Sequence, residues 1–128
     1  MSHDPPVVLV VEDDVEMNEL EQELLNLHGF QTVGAYTGDE ALAVWGESDA
    51  DAIVLDIMLP GMDGFETCCQ FRRRQAHKLA IIIVSALVED ESRQRGLDSG
   101  ADAYFAKPFD PDELVDKLHQ LLSSDEKA

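Results

Sequence analysis

Short, unbroken apolar runs alternate along the chain with longer stretches whose apolar residues recur at three- and four-residue steps. Val7 to Val11 is apolar throughout, residues 52–55 read Ala-Ile-Val-Leu, and residues 80–84 read Ala-Ile-Ile-Ile-Val. Runs of this length, apolar on both phases, predict strands buried on both faces of a parallel sheet. Gln31 to Tyr36 and Ala103 to Ala106 predict two weaker strands. Between the strands lie helices. Met17, Leu20, Leu24 and Leu27 share one helical face, and Gly29 follows as a stop. Thr37-Gly38-Asp39-Glu40 is a capping box ahead of Ala41 to Trp45, and Phe65 to Arg74 forms a third amphipathic pattern. Asp110-Pro111-Asp112-Glu113 opens a last helix with a cap, a first-turn proline and acids at the positive dipole end; Leu114, Leu118, Leu121 and Leu122 supply its apolar face. Glu89 to Ser99 is nearly all polar, with Leu97 its one large apolar residue and Gly96 inside it, which predicts a weakly anchored helix.

Strand and helix therefore alternate five times. That order predicts an α/β fold, a doubly wound open parallel sheet with helices on both faces. We expect a disordered N-terminus over 1–6, one folded domain over 7–122 and a flexible tail over 123–128. A length of 128 residues suits one core and not two. The formal charge of −18 repels a nucleic-acid backbone, so direct binding of DNA or RNA by this segment is not expected. No apolar run is long enough to cross a bilayer and no signal-peptide pattern opens the chain, so the expected compartment is the cytoplasm. Cys68 and Cys69 are adjacent, which fits neither a disulfide framework nor zinc spacing. His3, His28, His77 and His119 are scattered and read as structural or solvent-facing, and Arg72-Arg73-Arg74 reads as a solvent-facing run at a helix end.

In such sheets ligands bind beyond the carboxyl ends of the strands. The residues at those ends are Glu12, Asp13 and Asp14, then Asp56, then Ser85, then Lys107 and Pro108. Asp14 reads as a helix cap. The other acids would repel one another unless a proton or cation joined them. An all-oxygen set with open positions suits Mg²⁺. Asp56 then becomes a nucleophile for phosphoryl transfer, with Ser85 and Lys107 placed to hold phosphoryl oxygens.

Four blocks carry a resemblance: Val8-Leu9-Val10-Val11-Glu12-Asp13-Asp14; Leu55-Asp56-Ile57-Met58-Leu59-Pro60-Gly61-Met62-Asp63-Gly64; Ile83-Val84-Ser85-Ala86; and Gly100 to Phe109. Together the chain resembles the receiver domain of two-component response regulators, over roughly residues 7 to 122. The resemblance implies a flavodoxin-like sheet of strand order 2-1-3-4-5. Asp56 matches the phosphoacceptor; Glu12, Asp13, Asp56 and the Met58 backbone carbonyl match the Mg²⁺ ligands. Ser85 matches the hydroxyl that moves toward the phosphoryl group, Lys107 the lysine that pairs with it, and the Lys107–Pro108 bond is expected to be cis. Tyr104 matches the aromatic whose orientation reports activation, turning into the space that Ser85 vacates. A switched face of fourth helix, fifth strand and fifth helix follows, with Arg93, Asp102, Glu113 and Lys117 as a candidate homodimer face on activation. Ala103 departs from the second acid often found before the aromatic. The implied partner is a sensor histidine kinase or His-containing phosphotransfer protein, meeting the apolar face around the first helix, and the protein is a signalling phosphoacceptor rather than a turnover enzyme.

Three other readings compete. An Asp-nucleophile phosphatase would want an acid at position 58, which is Met. A flavin or nucleotide domain would want glycines, not Glu12-Asp13-Asp14, after the first strand. A receiver-like docking module not regulated by phosphorylation would not need the complete set of acceptor, acids, hydroxyl and lysine.

Overall fold

The chain alternates β1 (Val7–Val11), α1 (Val15–Leu27), β2 (Gln31–Ala35), α2 (Gly38–Ser48), β3 (Ala52–Asp56), α3 (Gly64–Arg74), β4 (Ala80–Ser85), α4 (Asp90–Asp98), β5 (Ala103–Ala106) and α5 (Pro111–Ser123). The structure, a computed structural model, describes residues 3–123. The expected tail beyond Ser123, and Met1 and Ser2, lie outside the described residues. All strand pairs are parallel and the order is β2-β1-β3-β4-β5. Among the described residues no helix is long and apolar enough to cross a membrane.

Strand alternation sends neighbouring side chains to opposite faces. Leu9, Ile53, Leu55 and Ile81 pack with Ala41, Leu42 and Phe71 of α2 and α3. Val8, Val10, Val54 and Ile82 pack with Leu25 of α1 and Leu114, Val115 and Leu118 of α5. Every residue of β1, β3 and β4 is buried, as their unbroken apolar runs require. A smaller cluster of Ile57, Phe65, Ile83 and Tyr104 lies apart from these two. The only buried residue of α4 is Gly96, where a Cβ would stand 2.8 Å from the Tyr104 ring and 3.2 Å from Ile83. The helix expected to be weakly held is thus seated on β4 and β5 by the absence of a side chain.

Residues 3–6 bond to the body: the His3 N–H donates to Asp51, and the Pro5 and Pro6 carbonyls accept from the Gln31 side chain and backbone. One local expectation changes. Arg72, expected in solvent, is half-buried because its guanidinium bonds the Gly100 and Leu79 carbonyls and pairs with Asp102 at 3.0 Å. The apolar stripe of α1 is turned largely outward: Met17, Leu20 and Leu27 are exposed, while Asn18, Glu21 and Leu25 face in.

The cap of α2 follows its sequence. Thr37 Oγ1 accepts from the Glu40 N–H at 3.1 Å, and Glu40 Oε1 reaches back to the Tyr36 N–H at 2.6 Å. Thr37→Ala should lower the urea midpoint by an amount equivalent to about 1 kcal/mol. An unchanged midpoint would show that the cap contributes nothing.

Candidate functional site

The carboxyl ends of β1 and β3 and the loop after β5 place three charged side chains together. Glu12 follows β1, Asp56 ends β3 and Lys107 follows β5. Lys107 Nζ lies 2.7 Å from Glu12 Oε1 and 2.7 Å from Asp56 Oδ2. Glu12 and Asp56 are 4% and 5% exposed, so this pairing is largely shielded from solvent and less screened than a surface salt bridge. The second oxygen of each acid is also held. Asp56 Oδ1 accepts from the Met58 N–H and Glu12 Oε2 from the Asp14 N–H.

Backbone clamps fix these positions. Asn18, on the inner face of α1, donates its side-chain amide to the Glu12 and Ala35 carbonyls, and the Glu12 N–H donates to the same Ala35 carbonyl. Asp14 caps α1 through the Met17 N–H, as its sequence position predicts. Gly64 lets the start of α3 approach β3, for a Cβ there would meet the Asp56 carbonyl oxygen at 2.5 Å.

Electrostatics follow from burial. Desolvation pushes the Glu12 carboxyl up; the Lys107 hydrogen bond opposes this and Asp56 reinforces it. Burial alone would lower Lys107, but its bonds to Asp56 and Glu12 prevail and hold it above the usual lysine range, so it stays an ammonium. The resulting site is a pair of buried carboxylates that demand positive charge. Its hard oxygen donors fit Mg²⁺ by chemistry, with the ammonium in the bridging position. Asp13, the other expected ligand, is exposed, and among the described residues no three Asp, Glu, His or Cys groups stand ready to hold a metal.

Ser85 and Tyr104 meet through one residue, Leu87. The Leu87 N–H donates to Ser85 Oγ at 3.0 Å, and the Tyr104 hydroxyl donates to the Leu87 carbonyl at 2.7 Å. Tyr104 is 6% exposed, so it already lies inward in this structure. The ring packs beneath Gly96 of α4, and Ser85 Oγ keeps its own bond to the Leu87 N–H. The Lys107–Pro108 peptide is cis.

Of the four candidate dimer residues, two are engaged within the chain. Arg93 Nη1 donates to the Tyr104 carbonyl and its guanidinium lies 5.2 Å from the ring centroid. Asp102 Oδ2 accepts from Arg72 and from the Ile81 N–H. Glu113 is exposed and Lys117 half-buried on α5.

Glu21 was not anticipated. It is buried on the inner face of α1, and its Oε2 has no hydrogen-bond partner. Desolvation raises its carboxyl to about 7, against the pull of Lys107 and with the push of Glu12 and Asp56. The available signal was its spacing from Asn18 and Leu25, which places two polar residues on the inward phase of α1.

Comparison with known proteins gives a consistent result. The family model described as the response regulator receiver domain matches residues 8–119. The transcriptional regulatory protein CpxR of Klebsiella pneumoniae is 37% identical over 115 residues, which is 90% of this chain and 48% of that protein. ResD of Bacillus subtilis is 38% identical over 90% of this chain and 47% of its own length. The chain spans about half the length of the curated relatives it matches. The receiver domain of a Francisella response regulator superposes with a TM-score of 0.86 at 34% identity, covering 93% of this chain and 98% of that one.

Proposed function

The chain belongs to the response regulator receiver domain family of two-component systems, and from that premise we propose that Asp56 accepts a phosphoryl group from a histidine kinase or a His-containing phosphotransfer protein. The observation that carries this reading is the Lys107 ammonium held 2.7 Å from Asp56 Oδ2 in a buried setting. It orients the carboxylate and offers positive charge where phosphoryl oxygens arrive. An oxygen of Asp56 attacks phosphorus, the phosphorus–nitrogen bond of the donor histidine breaks with its electron pair, and an acyl phosphate forms. Glu12, Asp13, Asp56 and the Met58 carbonyl would hold Mg²⁺, which when bound supplies further charge to neutralise the phosphoryl oxygens.

The folded unit of 7–122 is the phosphate-accepting domain, working in the cytoplasm. Its output passes through α4, β5 and α5. When Ser85 Oγ turns to a phosphoryl oxygen, the Leu87 N–H loses its acceptor, and Leu87, whose carbonyl also holds the Tyr104 hydroxyl, is freed to move just ahead of α4. A two-state element biased by a local charge follows. Homodimerisation on this face would recruit Arg93, Asp102, Glu113 and Lys117, at the cost of the Arg93–Tyr104 and Arg72–Asp102 contacts.

The direct test is intact mass after incubation with Mg²⁺ and acetyl phosphate. Gain of one phosphoryl group, absent when Mg²⁺ is chelated before the donor is added, is the expected outcome. A folded domain that gains no mass under these conditions would sink the reading.

A further inference from the structure

Lys107 and Glu21 line one cavity whose other walls, Met17, Leu20, Leu24 and Phe109 among them, are apolar. Among the described residues they are the only polar side chains that line it. Each has a hydrogen-bonding group to spare. An ammonium carries three N–H donors. Lys107 gives one to Glu12 Oε1 and one to Asp56 Oδ2, both at 2.7 Å. Glu21, 6% exposed on the inner face of α1, has Oε2 buried and without a partner. A carboxylate left in that condition costs stability. The nearby donor on the same face, Asn18, is taken up by the Val10, Glu12 and Ala35 carbonyls and does not compete for it. Lys107 already pulls the Glu21 carboxyl down against burial, so the two charges sense each other. No bond joins them here, because Glu12 and Asp56 draw the ammonium to the strand ends.

That arrangement changes once a second cation joins the acids. The two carboxylates that hold Lys107 are the ones that would hold Mg²⁺, and an ammonium beside a divalent cation is repelled. The Lys107 side chain is 22% exposed, so release into water would take it out of the site. We propose that Glu21 is a positioning residue that accepts a hydrogen bond from the Lys107 ammonium when Mg²⁺ occupies Glu12 and Asp56, and so keeps the ammonium beside Asp56 for the incoming phosphoryl oxygens. The inference rests on the receiver reading, which makes Glu12 and Asp56 ligands of Mg²⁺. Apolar walls strengthen the contact, since a charge-assisted bond gains from poor screening. The buried acid that destabilises the metal-free fold then finds its partner in the metal-bound one.

The test is a Mg²⁺ titration of the ¹⁵N-labelled full chain, read from amide shifts at about pH 8, where the Glu21 carboxyl is ionised. Dissociation constants are compared for wild type, Glu21→Gln, Lys107→Gln and the double variant, each first shown to fold by its amide spectrum. Glu21→Gln should weaken Mg²⁺ binding about tenfold when Lys107 is present, and about twofold or less in the Lys107→Gln background. Glu21→Leu, which removes the acceptor and suits the apolar walls, should lose at least as much as Glu21→Gln. A carboxylate acting on the metal only through its distant charge would give the same loss in both backgrounds, and that result would overturn the proposal. So would equal affinities for wild type and Glu21→Gln, or no Mg²⁺ binding at about 50 mM metal. Labelling of Asp56 by acetyl phosphate is scored separately: its failure beside an intact tenfold difference removes the phosphoacceptor reading and not the contact between Glu21 and Lys107.

Discussion

Asp56→Asn will fold with the wild-type sheet and take up no phosphoryl group from acetyl phosphate in Mg²⁺. The loss should be at least about a thousandfold in labelling rate, or about 4 kcal/mol of transition-state stabilisation. An amide oxygen carries no formal charge to attack phosphorus, and an acyl phosphate cannot form on it without expelling nitrogen. The fold should survive because Asn can still accept from the Met58 N–H, and Lys107 keeps Glu12 as a partner. Removing the Asp56 charge also takes away one of the influences that push the Glu12 carboxyl up, so Glu12 should ionise more readily in the variant. Peptide mapping of the labelled wild-type chain should place the modification on the segment containing Asp56. Equal labelling of the Asn variant would mean that another acid is the acceptor, with exposed Asp13 the first to examine.

Much of this is legible in the sequence. The strands of β1, β3 and β4 announce themselves because a strand buried on both faces needs apolar residues on both phases, and only such runs occur at Val7–Val11, Ala52–Leu55 and Ala80–Val84. Glu12, Asp56 and Lys107 could be gathered because all three sit at the carboxyl ends of parallel strands, and the parallel order brings those ends to one edge. The inner face of α1 was harder, because the apolar stripe that the periodicity reports faces outward. The inward phase carries Asn18, which is satisfied by three backbone carbonyls, so burial there needs no apolar side chain. Arg72 was misplaced for a similar reason: a run of three arginines looks solvated, yet one of them finds carbonyls at Gly100 and Leu79 that only the tertiary fold supplies. The inward setting of Tyr104 depends on the missing side chain of Gly96 and on the Leu87 carbonyl, neither adjacent to it in sequence.

Glu21→Leu should stabilise the domain, by an amount that grows with pH. Burial raises the Glu21 carboxyl from 4.5 to about 7, with Glu12 and Asp56 adding to the rise and Lys107 opposing it. Below pH 4.5 the folded and unfolded chains both hold this proton and it contributes nothing to their difference. As the pH climbs toward 7 the unfolded chain releases the proton first, and stability falls by up to about 1.4 kcal/mol per pH unit. Above the folded value both states are ionised and the cost levels off at about 3 kcal/mol. Leucine removes the titration and places an apolar side chain beside Met17, Leu20 and Leu24 in its stead, so urea midpoints of wild type and variant should diverge between pH 5 and pH 7.5 and run parallel beyond it. Parallel curves across the whole range would show that the Glu21 carboxylate is already satisfied in solution.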